Sequence, residues 1–239
     1  MNEKIIEWQK ICETKTPEEA IKWALAEFGE KNIALSSSFG AEDQVLTHIL
    51  MEISPAAQVF TLDTGRLPQE THEVLRETEN LYRIKIEILR PQAVVVMKMI
   101  KENGVNLFYE SVEKRKLCCQ TRKVEPLKKK LSGLKAWICG LRKGQSVTRA
   151  EVQKIEWDET FGLYKVNPLA DWNNSQVWEY INKNKVPYNK LHDKGYPSIG
   201  CEPCTKSVKP GQDIRAGRWW WENSSQKECG LHRSNNNHG

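Results

Sequence analysis

The sequence predicts an α/β fold: a parallel sheet covered by helices on both faces, followed by an irregular, cysteine-bearing segment. Three observations carry this expectation. Short apolar runs alternate with helical patterns between residues 32 and 141, the order expected of β-α-β units. Two of those runs end in loops of Ser, Thr, Asp and Gly, where open α/β sheets place their ligands. After Pro187 the periodicity dissolves into Gly, Pro and Cys.

Taken in order, residues 2–13 and 17–28 read as two helices. The second starts on Thr16 as N-cap, Pro17 at the first helical position and two glutamates in the first turn. Residues 32–38 (NIALSSS) read as a strand and 41–53 (AEDQVLTHILMEI) as a helix. Residues 57–64 (AQVFTLDT) read as a strand, 67–82 as a helix and 85–89 (KIEIL) as a strand. Residues 91–104 read as a helix closed by Gly104, 135–141 (KAWICGL) as the fourth strand, and 173–185 as a last helix ending before Pro187. The expected division is residues 1–186 as a nucleotide-binding α/β domain with N-terminal helices. Residues 187–239 follow as a segment laid over the carboxyl edge of the sheet.

The 239 residues suffice for a full core without metal or disulfides as the main support. The opening helical pattern has no apolar signal core, and no stretch approaches membrane-spanning length. A cytoplasmic location is therefore expected, with the seven cysteines as reduced thiols. Net charge is +5, and residues 114–130 (KRKLCCQTRKVEPLKKK) hold eight Lys or Arg against one Glu. A charge run is commonly a solvated face. Here it encloses two cysteines, which suits an anionic ligand or a metal–thiolate centre.

The first strand runs into Ser36, Ser37, Ser38, Phe39 and Gly40 and then a helix. Hydroxyls, a turn and free helix N–H groups form an anion cradle; an ordinary strand–turn–helix connection is the plain alternative. The second strand ends at Leu62, Asp63, Thr64 and Gly65, which could surround a base; Asp63 could instead cap the next helix. The fourth strand is followed by Arg142, Lys143 and Arg149 on a Gly-bearing loop, where an arginine fork suits phosphate or sulfate.

Cys118 and Cys119 stand in tandem, and Cys201 and Cys204 form a C-x-x-C pair. Four soft sulfurs fit tetrahedral zinc or an iron–sulfur cluster. Zinc knuckles more often pair two C-x-x-C motifs, and adjacent cysteines are an awkward bite for one small ion. The pattern therefore leans towards [4Fe–4S], with Lys116, Arg122, Lys123 and Lys206 offsetting its charge. Cys12 and Cys139 fall in core patterns. Cys229 stands in a polar terminal stretch beside Lys227, His232 and Arg233, cations that would favour its thiolate; an idle exposed thiol is the alternative. The Trp219–Trp221 triplet reads mainly as packing, with its flanking arginines as the functional part.

Together the segments SSSFGAED, LDTG, CCQTRKVEPL, GLRKGQS, GCEPCT, AGRWWWE and ECGLH resemble the thioredoxin-dependent assimilatory reductases of adenylyl sulfate and its 3′-phosphorylated form. The cysteine pattern is similar to the branch that carries a cluster. The resemblance implies an adenine-nucleotide alpha-hydrolase (PP-loop) type of Rossmann-like sheet, and one [4Fe–4S] cluster per chain on Cys118, Cys119, Cys201 and Cys204. It implies nucleotide contacts from Ser36, Ser37, Ser38, Phe39 and Gly40 and from Leu62, Asp63, Thr64 and Gly65. Arg142, Arg215, Arg218 and His232 would contact phosphate and sulfate. Lys123 would lie between cluster and substrate, and Cys229 would be the nucleophile.

The implied activity is reduction of adenylyl sulfate to sulfite and AMP, in sulfate assimilation and cysteine biosynthesis. The 3′-phosphorylated form is a second candidate substrate, giving adenosine 3′,5′-bisphosphate. An S-sulfocysteine on Cys229 would be resolved by thioredoxin. A homo-oligomer without nucleic-acid or membrane partners is expected. One local departure is Lys143-Gly144 where many relatives carry Arg-Asp. Two other readings compete with this one. An iron–sulfur tRNA-thiolating enzyme would favour an S-G-G-x-D-S loop, which this chain lacks. A zinc nucleic-acid-binding module would need aromatics interleaved with the basic run, and 114–130 has none.

Overall fold

The computed structural model describes residues 2–146, 149–222 and 231. Their strands form one sheet in the order β3-β2-β1-β4-β6-β5. β1 (Ile33–Ser36) pairs in parallel with β2 (Gln58–Leu62) and with β4 (Ala136–Ile138). β4 also pairs in parallel with β6 (Leu163–Val166). The runs IALS and AWI are apolar on consecutive residues because both faces of a central parallel strand are covered, and they are almost wholly buried. β3 is the short strand Glu87–Leu89.

One part departs from the predicted parallel sheet. Between β4 and the last helix the chain forms β5 (Ile155–Asp158), which runs antiparallel to β6. The turn between them is tied by Asp158, whose Oδ1 accepts from the N–H groups of Thr160 and Phe161 at 3.1 and 3.3 Å. The pair is held by charge as well as by the ladder. Buried Lys165 of β6 reaches Asp158 at 2.7 Å and Glu156 at 3.3 Å, both on β5. Charged residues inside the strands hid the apolar alternation.

The chain divides into two compact units: residues 1–61, 69–87 and 131–190, and residues 62–68, 88–130 and 191–239. The first unit holds α1 (Asn2–Glu13), α2 (Pro17–Phe28), α3 (Ala41–Ile53) and α4 (Gln69–Tyr82). The predicted start of α2 is a full capping box: Glu19 N donates to Thr16 Oγ1 at 3.2 Å and Thr16 N to Glu19 Oε2 at 2.8 Å. Ile21, Leu25, Leu35, Val45 and Ile138 belong to its core. Cys12 is in that core, and Cys139 is buried at the end of β4, as the pattern predicts.

The second unit holds α5 (Ala93–Asn103), which ends at Gly104 with φ 81°, α6 (Val112–Cys119) and α7 (Glu125–Leu131). Between α6 and α7 the helix widens into π turns over Gln120–Val124. Such π bulges often sit at functional sites. The remaining helix, α8 (Asn174–Asn184), belongs to the first unit and carries a second capping box, Asn173 with Gln176. No helix among the described residues is long and apolar enough to cross a membrane.

Candidate active site

In the first unit, β1 lies between β2 on one side and β4 on the other, so the strand order reverses direction at the β1–β4 boundary. This is where open α/β sheets bind ligands. Ser36 to Gly40 leave β1 and lead directly into α3. Phe39 is buried with φ 60°, a conformation that costs a bulky residue free energy and is kept at few positions. Ser37 is buried, with its Oγ accepting from Phe39 N at 3.2 Å. Ser38 is exposed, and both its N and Oγ donate to Asp43 Oδ2 at 2.6 Å.

The loop after β4 is tied to the same helix. Arg142 is 2% exposed; its Nε and Nη2 donate to Glu42 Oε1 at 2.8 and 2.6 Å, and its Nη1 to Trp172 O at 3.1 Å. Its guanidinium therefore fixes this loop to α3 and to the segment before α8. Lys143, the local departure of this loop, pairs with Asp171 at 2.5 Å. Arg149 donates to Gln145 Oε1 at 2.6 Å, and Gln145 to Gly140 O at 3.0 Å. Sequence reasoning missed Glu42 and Asp43. The signal was their place in the first turn of α3, where carboxylates favour the helix N-terminus.

Asp43 gives a prediction about stability. Burial raises its carboxyl from 3.8 to about 6, against the hydrogen bonds from Ser38 and Gly140 that lower it. The folded chain thus holds this proton more tightly than the unfolded chain. The resulting stabilisation is present below about pH 4 and is lost as pH rises through about 6, by up to about 3 kcal/mol. The unfolding free energy of wild type minus that of Asp43→Asn is expected to fall over this range and then level off. A difference that stays flat from pH 4 to 7 removes the assignment.

In the second unit, Cys118, Cys119, Cys201 and Cys204 line one cavity together with Lys123 and Arg218. All four cysteines are buried, and none of the six described cysteines is in a disulfide. The helix explains the first pair. α6 ends on Cys118 and Cys119, and the π turns that follow carry Arg122 and Lys123, which line the same cavity. The second pair is set by a tight turn: Cys204 N donates to Cys201 O at 2.9 Å, and the Thr205 hydroxyl to Cys201 O at 2.9 Å. Glu202 N donates to Arg66 O at 2.8 Å, and Tyr109 Oη to Pro203 O at 2.9 Å.

The predicted loop at Leu62–Gly65 meets this thiol site. Thr64 Oγ1 is 3.2 Å from Cys201 Sγ, and Thr64 O accepts from Arg122 Nη1 at 2.7 Å. Asp63 caps no helix: its carboxylate accepts from Gly65 N at 2.9 Å and from Arg90 Nε at 3.0 Å, closing the loop on itself.

The tail residues Arg215 and Arg218 flank the tryptophan triplet. Trp219 is 1% exposed, with φ 42°; the guanidinium groups of Arg115 and Arg218 stand 4.6 and 4.7 Å from its ring and that of Arg215 at 6.0 Å. Arg115, fully buried, forms a two-pronged pair with Glu222 at 2.9 and 2.7 Å. Cys229 and His232 lie outside the described residues.

Arg218 packs against the backbone at Gly200, where an added Cβ would overlap its guanidinium. That guanidinium is 3.2 Å from Ile199 O and has little room to retreat. Gly200→Ala is expected to cost roughly 1–3 kcal/mol and to displace Arg218. Thermal unfolding measures the first effect. An unchanged melting temperature shows that the guanidinium gives way freely.

Within the cavity the cations favour negative charge at Cys201. Burial pushes the Cys201 thiol up, but Lys123, the Thr64 hydroxyl, Arg218 and Arg122 outweigh burial and hold it below the ordinary thiol value. Burial raises Cys118, with Arg122 in partial opposition. Burial and the neighbouring Cys201 push Cys204 up to about 12. Arg122 Nε, Arg218 Nε and Trp219 Nε1 are buried without a hydrogen-bond partner among the described residues. Such donors are costly unless something accepts from them.

The donor set fits an iron–sulfur cluster. It offers four thiols, unspent N–H donors and surrounding cations for a group whose sulfurs are acceptors. Among the described residues, no three His, Cys, Asp or Glu side chains converge as ligands of a single ion. The four cysteines instead line one cavity.

Similarity to known proteins identifies the family. Residues 32–207 match the phosphoadenosine phosphosulfate reductase domain, and the chain belongs to that family. An adenosine 5′-phosphosulfate reductase of Allochromatium vinosum is 52% identical over 202 residues, covering 84% of this chain and 79% of the relative. One from Burkholderia cepacia is 50% identical over 210 residues, 87% and 84% of the two chains. Among solved structures, a phosphoadenylyl-sulfate reductase from Candida auris in complex with phosphate has a TM-score of 0.74 at 28% identity, covering 87% of this chain and 98% of that one. An FMN adenylyltransferase from Candida glabrata, with a TM-score of 0.58 at 16% identity over 97% of this chain and 81% of that one, shares the fold.

Proposed function

We propose that the chain reduces adenylyl sulfate to sulfite and AMP with thioredoxin as electron donor. The observation that carries this reading is the cavity of the second unit, where four cysteines meet Lys123, Arg122 and Arg218, in a chain of this reductase family.

The chemistry follows from charge and electron count. The sulfur of the mixed anhydride is electrophilic because AMP is a good leaving group. The Cys229 thiolate attacks it; a sulfur–sulfur bond forms, the sulfur–oxygen bond to AMP breaks, and S-sulfocysteine remains. A thioredoxin thiolate then attacks Cys229 Sγ and releases sulfite, and its second thiol frees Cys229, leaving oxidised thioredoxin. The two electrons come from the dithiol. Nucleophile and substrate are both anionic, so cations must offset their repulsion. Lys123, Arg218 and Arg215 take this role on the sulfate side, and Ser36–Gly40 with Leu62–Gly65 hold the nucleotide. Arg142 acts by fixing its loop to Glu42.

Cys118, Cys119, Cys201 and Cys204 would hold the [4Fe–4S] cluster, one per chain. When bound it supplies fixed charge and a brace for the basic segment. Residues 1–186 serve the nucleotide, and 187–239 bring the C-x-x-C pair and the Cys229 tail. A reducing cytoplasm suits six thiols outside disulfides, and a homo-oligomer is part of the reading.

Sulfite release, measured with and without thioredoxin, tests the proposal. Adenylyl sulfate is the expected substrate, with measurable kcat/KM for the 3′-phosphorylated form because the loops carry cations to spare. Strict preference for the 3′-phosphorylated form overturns the substrate assignment, and no sulfite from either overturns the function.

A further inference from the structure

Beside the thiol site the second unit exposes an aromatic patch, whose inner ring, Trp221, packs against the cluster of the four cysteines. In the tryptophan triplet, Trp219 is buried and Trp221 is half-buried, but Trp220 is 40% exposed. Trp220 packs edge-on against Trp221 with ring centres 4.7 Å apart, and Tyr109, 44% exposed, lies 4.5 Å from Trp221 and 6.3 Å from Trp220. Lys206 Nζ is 5.9 Å from the Trp220 ring, and the Arg66 guanidinium is 5.0 Å from Phe108, whose ring is 6.2 Å from Trp221. Large exposed aromatics held rigidly by neighbours and rimmed by charge are the usual anchors of protein–protein contacts.

We infer that Trp220, with Tyr109 and Trp221, is the docking surface for the protein dithiol that resolves the sulfo-adduct. This rests on the proposed function and adds where its partner binds.

Two observations choose this occupant. The first is chain length. Glu222 is seven residues before Cys229, so the sulfur cannot lie more than about 25 Å from Glu222 even in an extended chain. A protein that attacks Cys229 must therefore stand within that distance of Glu222, and Trp220 and Trp221 are its immediate predecessors. The second is charge. The cations rimming the patch, Lys206 and Arg66, favour an acidic partner, which they would also steer to the surface. A small acidic protein with an apolar collar around its dithiol meets both requirements. A small-molecule dithiol needs neither.

The experiment compares the two kinds of reductant on full-length, cluster-bearing enzyme. In Trp220→Ala the KM for thioredoxin is expected to rise about tenfold, the loss typical of one aromatic anchor. Turnover with saturating dithiothreitol is expected to stay within about twofold of wild type. Trp220→Phe should recover most of the thioredoxin KM, and added salt should raise the wild-type KM for thioredoxin but not for dithiothreitol. Visible absorbance and circular dichroism establish that each variant is folded and loaded. If the alanine variant does not fold, Trp220→His serves in its place. A thioredoxin KM unchanged in a folded variant overturns the inference, as does an equal loss with both reductants. Wild-type enzyme that turns over with dithiothreitol but not thioredoxin removes the partner itself. Wild-type enzyme inactive with both removes the function beneath it.

Discussion

Cys229→Ser is expected to lower sulfite release by roughly 10⁴-fold or more, the scale seen when a covalent nucleophile is removed. A serine hydroxyl stays protonated at neutral pH, whereas a thiol near cations is readily ionised. The sequence places Lys227, His232 and Arg233 within four residues of Cys229. The two core cysteines cannot substitute. Burial pushes Cys12 up to about 11 and Cys139 well above the ordinary value, so neither supplies thiolate. Nucleotide affinity and iron content should be unchanged in the variant, which separates loss of chemistry from loss of fold. Wild-type enzyme incubated with adenylyl sulfate and no reductant should gain the mass of one SO₃ on the peptide that contains Cys229. The same mass on the peptide of Cys12 or Cys139, or a serine variant that still turns over, assigns the nucleophile elsewhere.

How much of this was legible before the structure depended on whether a residue's role left a local pattern. Ile33–Ser36 and Ala136–Ile138 were legible because central parallel strands must be apolar on consecutive residues. The start of α2 was legible because a capping box spans only four residues. α6 and α7 were not, because their helix lies in a run of eight cations, where no apolar stripe marks a buried face. The four cysteines were legible as one ligand set from chemistry alone, although the two pairs lie far apart in the chain. Arg115 shows the limit. In sequence it is one cation in a basic run, a pattern that reads as solvated. In the fold it is fully buried against Trp219 and pairs with Glu222, 107 residues away. Its partner is too distant in sequence to leave a local signal.

The second large effect concerns the thiol site. Anaerobically purified protein is expected to be coloured and to contain about four irons per chain, and serine at Cys118, Cys119, Cys201 or Cys204 should bleach it. The energetics extend past the lost ligand. Arg122 and Arg218 each keep a buried Nε without a hydrogen-bond partner among the described residues, and Lys123 lines the same cavity. Cations gathered this closely repel one another unless an anionic group sits among them. Losing the cluster therefore removes bonds to the chain and the charge that these side chains offset. Each serine variant should lose stability by several kcal/mol, more than the exchange of one sulfur for oxygen would cost, and chelation of iron from wild type should produce a loss of the same size. Burial holds the protons on Cys118 and Cys204, whereas Cys201 ionises more readily. Reconstitution of apoprotein should thus accelerate as pH rises, because ligation displaces those protons. A colourless protein with one zinc per chain, and serine variants as stable as wild type, would end the cluster reading. It would leave the basic residues around the cavity to be explained by the substrate alone.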